Sequence, residues 1–398
     1  MHTRRQLFFK HLAQTSAFPP ALEIIKAEGC YLEDSSGKKY LDLISGISVS
    51  SLGHGNEDIK KAIHNQVDNH LHLMVYGEYI ISPQVDLVTA LAEKLPHSLQ
   101  SIYLTNSGTE ATEGAMKLAK RFTGRTGFIS FKNAYHGSTQ GALSICGNEN
   151  LKNAFRPLLP DHRIIEYNSP DQLDFIDENT AAVFIEAIQA EAGIILPENG
   201  FLEKVRKRCN EKKAILVFDE IQTGMGRTGN LFAFQYSKVI PDILLLGKAF
   251  GGGMPLGAFI SSHEIMSTLT FDPMLGHLTT SGGHPVSCAA ALASLQIISK
   301  KEILESVVRK GEIFRKLLKH SSIKSFRGKG LLLAIEFENE ALNQRIIQLC
   351  FEKGLLTDWF LFSPFCLRIA PPLLISEEEV RKACHIILEA IEEANTKS

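Results

Sequence analysis

PDILLLGKAFGGGMPLGA, residues 241–258, carries an unbroken apolar run into one lysine, Lys248, and soon after it three glycines. A run of Ile and Leu that does not alternate with polar residues fits a strand buried on both faces, as in a parallel sheet. An amine at the end of such a strand is costly to bury unless something uses it. The glycines leave a backbone that a flat ligand can approach closely. The segment before it, ILVFDEIQTGMGRTG (215–229), has the same form and ends its apolar run in Asp219 and Glu220. Carboxylates at the C-terminal ends of parallel strands point into the crevice where α/β folds bind ligands. Taken by itself, Asp219 is either a partner for a protonated ring nitrogen or a structural acid paired with Arg227.

Working outward, SIYLT (101–105), GFISF (127–131), AAVFIEAI (181–188) and GAFIS (257–261) are further strand-like runs, separated by amphipathic stretches. The alternation predicts an α/β domain with a mainly parallel sheet. From about 286 the texture changes to long helical patterns and then a short βαβ-like tail, LLLAIEF, QRIIQLCFEKG and LRIAPPLLI. A last helix opens with the capping pair Ser376 and Glu379. The expected organisation is a large domain over 53–285, a small α+β domain over 286–398, and an N-terminal segment, 1–52, packing with the small domain. GCYLEDSSGKKYLDL (29–43) reads as a hairpin in that segment.

With 398 residues, 44% hydrophobic and 22% charged, the chain is ordinary globular material. A net charge of -2 gives no long-range attraction to nucleic acid or an anionic membrane surface. No apolar run approaches the roughly 20 residues that span a bilayer. The opening MHTRRQLFFKHLAQTS has only LFF before Lys10 and His11, which makes a poor signal peptide. Seven scattered cysteines without a CxxC pair read as reduced thiols, so a cytoplasmic protein without a metal site is expected.

LTNSGTEATEG (104–114) puts Ser107, Gly108 and Thr109 between a strand end and a helix start. Free amides and the helix dipole make that turn an anion site, or Ser107 or Thr109 is an ordinary N-cap. Neither the dinucleotide GxGxxG nor the GK[ST] of a P-loop is present there. A phosphate cradle, an acid for a ring nitrogen and a strand-end amine are together the attachment points of pyridoxal phosphate.

NSGTEA, YHG, DEIQTGMGRTG, GKAFGGGMPLGA and GGHP occur here in the order found in the class III aminotransferases, which the chain resembles from about residue 20 to 395. The resemblance implies the fold-type I architecture of pyridoxal-phosphate enzymes: a large domain with a mainly parallel seven-stranded sheet plus a small α+β domain. It implies that Lys248 carries pyridoxal 5'-phosphate. Gly108 and Thr109 would hold the phosphate, with Ser107 nearby, and Thr280 would reach it from the second subunit of a homodimer. Tyr135 would stack on the ring, Asp219 would face the ring nitrogen and Gln222 the ring oxygen. Arg368 would clamp a substrate carboxylate, masked at times by Glu191, with Ser138 and Thr279 also around the substrate.

The motifs are closest to the acetylornithine/ornithine group, which implies amino transfer from a terminal amine to 2-oxoglutarate. Some positions depart from that group. Ser138 stands where the acetylornithine type usually has an arginine, and Ile47 where ornithine enzymes place a tyrosine. Ala190 and His284 also differ from the usual QGE and GGNP wording. Other amines therefore stay open, among them 4-aminobutyrate, lysine and diaminopelargonate. So do an aminomutase of the glutamate-semialdehyde kind, against which DEIQTGMGRTG argues, and a regulatory cofactor-binding protein, for which the complete lysine and aspartate set is surplus.

Overall fold

The structure, a computed structural model, describes residues 2–198 and 200–396. After a helix at Arg4–His11 come β1 (Ile24–Glu28), β2 (Tyr31–Asp34) and β3 (Lys39–Asp42). β2 and β3 form the expected hairpin. Asp34 closes its turn by accepting from the amides of Ser36 and Lys38 at 2.8 and 3.1 Å, the usual use of aspartate in turns.

The main sheet contains β4 (Ser101–Thr105), β5 (Gly127–Phe131), β6 (His162–Ile165), β7 (Thr180–Glu186), β8 (Ile215–Asp219), β9 (Ile243–Leu246) and β10 (Gly257–Ser261). Their order is β4-β10-β9-β8-β7-β5-β6. β5 to β9 pair in parallel, and β10 alone runs antiparallel to both neighbours. Every residue of β7, β8, β9 and β10 is buried, as runs covered by helices on both faces require. β6 was not evident in the sequence: it is a short edge strand with His162 and Arg163 in it.

The later strands are β11 (Ser325–Lys329), β12 (Leu332–Glu336), β13 (Leu355–Leu356), β14 (Trp359–Phe360) and β15 (Ser363–Ile369). β11, β12, β15 and β14 make a second sheet, while β13 pairs in parallel with β3. The C-terminal tail departs from the βαβ unit expected of it. β12 and β15 are antiparallel rather than the parallel pair of a βαβ unit, because the chain after the intervening helix (Glu340–Glu352) goes to β13 and returns through β14. The last helix, Glu377–Thr396, has both bonds of the expected capping box: the Ser376 amide donates to Glu379 at 2.7 Å, and the Glu379 amide to Ser376 Oγ at 3.1 Å.

Arg227 ties these layers together. Its fully buried guanidinium donates to Ser51 Oγ at 2.9 Å and to the carbonyls of Leu331 and Pro371. It is therefore not the partner of Asp219. Among the described residues no helix is long and apolar enough to cross a membrane, and no cluster could hold a metal ion. All seven cysteines are free and buried.

Candidate active site

The helix Gly108–Thr123 begins directly after β4, and Ser107 caps it in extended conformation by accepting from the Glu110 amide at 3.3 Å. The Glu110 carboxylate turns back to the Asn106 amide at 2.8 Å, and Thr109 Oγ1 meets Thr139 Oγ1 at 2.8 Å. The amides of Gly108 and Thr109 open the helix, where no intrahelical acceptor exists. A Cβ at 108 would stand 2.7 Å from Ile221 Cδ1, so a larger residue there would have to push the Ile221 side chain aside. A Cβ on Gly247 would likewise come within 3.2 Å of Gly108 Cα. The ends of β4, β8 and β9 thus converge on one glycine-lined point.

β7 and β8 end side by side with Glu186 opposite Asp219. Asp219 Oδ1 accepts from the Ile221 amide at 3.0 Å, and Oδ2 lies 2.7 Å from His136 Nδ1. His136 is buried, and its Nε2 has no hydrogen-bond partner. Glu186 is also buried, which raises its carboxyl well above the usual range; its oxygens accept from the amides of Ala190 at 2.8 Å and Tyr135 at 3.4 Å. It thereby connects the two loops that carry Tyr135 and Glu191.

Lys248 lies two residues beyond β9 with φ of 48°, a conformation rare outside glycine. The segment Ser45–Ser48, itself left-handed with Ile47 at φ 59°, packs onto Lys248–Gly251. Such backbone persists only where the surroundings impose it. Lys248 opens to a cavity but is otherwise enclosed by protein, and that burial lowers its amine; Glu191 pulls the other way. Its Nζ donates to Gln222 Oε1 at 3.2 Å, while Gln222 Nε2 and Thr223 Oγ1 are buried with no partner.

The cavity measures about 230 Å³, and its lining includes Gly108, Thr109, Tyr135, Asp219, Gln222 and Lys248, with Ser138, Glu191, His136 and Glu186 also in the wall. Ser138 is exposed and sits 2.9 Å from the Tyr135 hydroxyl. Thr280 and Thr279 lie outside this lining: Thr280 is exposed, and Thr279 Oγ1 accepts from Asn106 Nδ2 at 2.9 Å. Arg368 stands behind Glu191, which meets it with both oxygens at 2.9 and 3.0 Å. Burial would raise the Glu191 carboxyl, but the guanidinium outweighs it and holds the group at about 2. Asp358 accepts from Arg368 Nε at 2.8 Å; burial pushes this second carboxyl up to about 6 against the pull of Arg368.

Sequence reasoning did not single out His136, Glu186 or Asp358. The first stands inside the quoted YHG motif, and the second ends an apolar run as Asp219 does. No local signal marks Asp358, because its partner is ten residues away on another strand.

The model of the family described as "Aminotransferase class-III" matches residues 13–391. The acetylornithine aminotransferase of Methanopyrus kandleri is 36% identical over 391 residues, covering 97% of this chain and 98% of that one. The crystal structure of ornithine aminotransferase from Toxoplasma gondii superposes with a TM-score of 0.92 at 30% identity, covering 100% of this chain and 97% of that one. The adenosylmethionine-8-amino-7-oxononanoate aminotransferase of Methanocaldococcus jannaschii gives a TM-score of 0.89 at 30% identity, with 98% of each chain covered.

Proposed function

The chain belongs to the class III aminotransferases, and from that membership we propose that it moves an amino group from a terminal amine, N-acetylornithine or ornithine, to 2-oxoglutarate. Pyridoxal 5'-phosphate is the cofactor of these enzymes, and the residues present fit it. The first-turn amides of Gly108 and Thr109 suit its phosphate, beside the Ser107 cap. The partnerless donors Gln222 Nε2 and Thr223 Oγ1 suit its ring and phosphate oxygens. Once bound, the cofactor supplies an electron sink for the pair left on the donor carbon when its proton is removed.

The protein's part follows from its own groups. Lys248, its amine lowered by burial, takes that proton at Nζ and later gives it back. Asp219, oriented by His136, would face the ring nitrogen, and a carboxylate beside that nitrogen would favour its keeping a proton. Tyr135, in the cavity wall, would cover one face of the ring.

The observation that carries the two-substrate reading is the bidentate hold of Glu191, in the wall with Lys248, on Arg368 behind it. With Glu191 in place, Arg368 is neutralised and the pocket takes the uncharged flank of a terminal amine. With Glu191 turned aside, the same guanidinium edge takes the carboxylate of 2-oxoglutarate or glutamate. The relatives named for acetylornithine and ornithine support this donor class.

A homodimer belongs to the same reading. Leu73, Met74, Ile80, Met274, Leu275 and Leu278 are exposed, and a second copy covering them would also bring its own Thr280 to the site, with Thr279 at the substrate rim. The division at 52 and 285 and a reducing, cytoplasmic setting for the seven free thiols complete it.

Ser138 supports a second reading. Apart from Lys248 no lysine or arginine lines the cavity among the described residues, so no fixed cation awaits a second carboxylate. Without the arginine usual in the acetylornithine type, the donor is equally another terminal amine, such as lysine, 4-aminobutyrate or diaminopelargonate. The test is single-turnover loss of the bound-cofactor absorbance with N-acetylornithine, ornithine, 4-aminobutyrate, lysine and glutamate. Fast conversion with glutamate and N-acetylornithine or ornithine supports the first reading. Conversion with glutamate and only one of the other amines replaces it by the second.

A further inference from the structure

Arg368 is held on three sides by one short segment. The Arg368 amide donates to the Asp358 carbonyl at 2.9 Å, and Thr357 Oγ1 donates to the Arg368 carbonyl at 2.5 Å. Nε donates to Asp358 Oδ1 at 2.8 Å and Nη2 to the Trp359 carbonyl at 2.9 Å. The Phe360 ring lies 4.4 Å below the guanidinium carbon. Glu191 comes from the loop after β7 and takes the Nη1/Nη2 edge instead. It lines the cavity, whereas Asp358 does not.

The two carboxylates therefore occupy different edges of one buried cation. A substrate carboxylate entering from the cavity can replace Glu191 on the terminal edge without touching the Nε bond. A guanidinium that lost its only partner in that exchange would be a buried uncompensated charge, a state proteins avoid. We propose that Asp358 is the standing anchor of Arg368, a positioning residue that keeps the guanidinium aimed at the cavity while Glu191 is the partner that exchanges. This rests on the reading that Arg368 receives the carboxylate of the amino acid substrate.

The test uses holoenzyme in single-turnover half-reactions with L-glutamate and, separately, with N-acetylornithine. Asp358→Ala should raise the half-saturating glutamate concentration about ten-fold or more, leaving the limiting rate and the N-acetylornithine half-saturation within about two-fold, since a charge-assisted hydrogen bond is removed from one substrate's clamp only. Asp358→Asn, which keeps an acceptor for Nε, should fall between the wild type and Asp358→Ala. An unchanged glutamate half-saturation in Asp358→Ala, or equal shifts for both donors, overturns the proposal. Arg368→Lys separates the two levels: if it weakens glutamate while Asp358→Ala does not, the anchor alone fails; if it leaves glutamate unaffected, the carboxylate reading fails and the anchor with it.

Discussion

His136 Nδ1 stands 2.7 Å from Asp219 Oδ2, and both side chains are buried at the C-terminal end of the main sheet. The other carboxylate oxygen is held by the Ile221 amide, so the aspartate is fixed from two directions. Replacing His136 with alanine should lower kcat by about ten- to a hundred-fold, the equivalent of one hydrogen bond to a charged group. Steady-state kinetics alongside the bound-cofactor absorbance checks this. An unaltered kcat and spectrum would remove the histidine from the mechanism.

Lys248→Ala should abolish turnover at the level of assay, since general acid–base assistance alone is worth about 10²–10⁴-fold. The absorbance of lysine-bound cofactor should vanish with it. Retention of either signal contradicts the assignment.

Arg368→Ala should raise the KM for 2-oxoglutarate at least about ten-fold more than that for a donor without a carboxylate beside the reacting carbon, because two charge-assisted bonds are lost for one substrate only. Glu191→Gln should move the same ratio the opposite way, by weakening the group that competes for Arg368. KM values for both substrates in both variants provide the check.

Burial lowers the Lys248 amine below the 10.5 of an ordinary lysine. The neutral amine is the form that bonds to the cofactor, so reloading of the cofactor-free enzyme slows as pH falls through the lowered value and levels off above it. Reloading rate against pH should show its midpoint below 10.5. A midpoint at or above that value contradicts the effect of burial.

Gly114 lets the helix Gly108–Thr123 lie against β10: a Cβ there would come 2.3 Å from Phe259. Gly114→Val should destabilise the fold by about 1–3 kcal/mol through overpacking. It should also weaken cofactor binding, because the displaced helix carries Gly108 and Thr109. A thermal melt and a cofactor titration measure the two effects.

The main sheet was legible because β7, β8 and β9 are covered on both faces, and that burial leaves apolar runs with no polar alternation. Strand-end chemistry was legible for the same reason: Asp219 and Lys248 are charged groups where such runs stop. The small C-terminal sheet was harder to foresee. Its edge strand β14, and β13, which leaves it to pair with β3, are two residues each, too short for any periodicity to show. Thr279 and Thr280 illustrate a different limit, since nothing within a single chain brings Thr280 to the cavity. Asp358 was hidden because hydrogen bonding between strands, not sequence spacing, sets it against Arg368.

The most direct measurement concerns Lys248 itself. Borohydride reduction of the holoenzyme fixes the cofactor to whichever amine holds it, and peptide mass mapping then identifies the residue. Cofactor mass on the peptide containing Lys248, lost in Lys248→Ala, is the expected result. Cofactor mass on another lysine, or on none, would contradict the site described here.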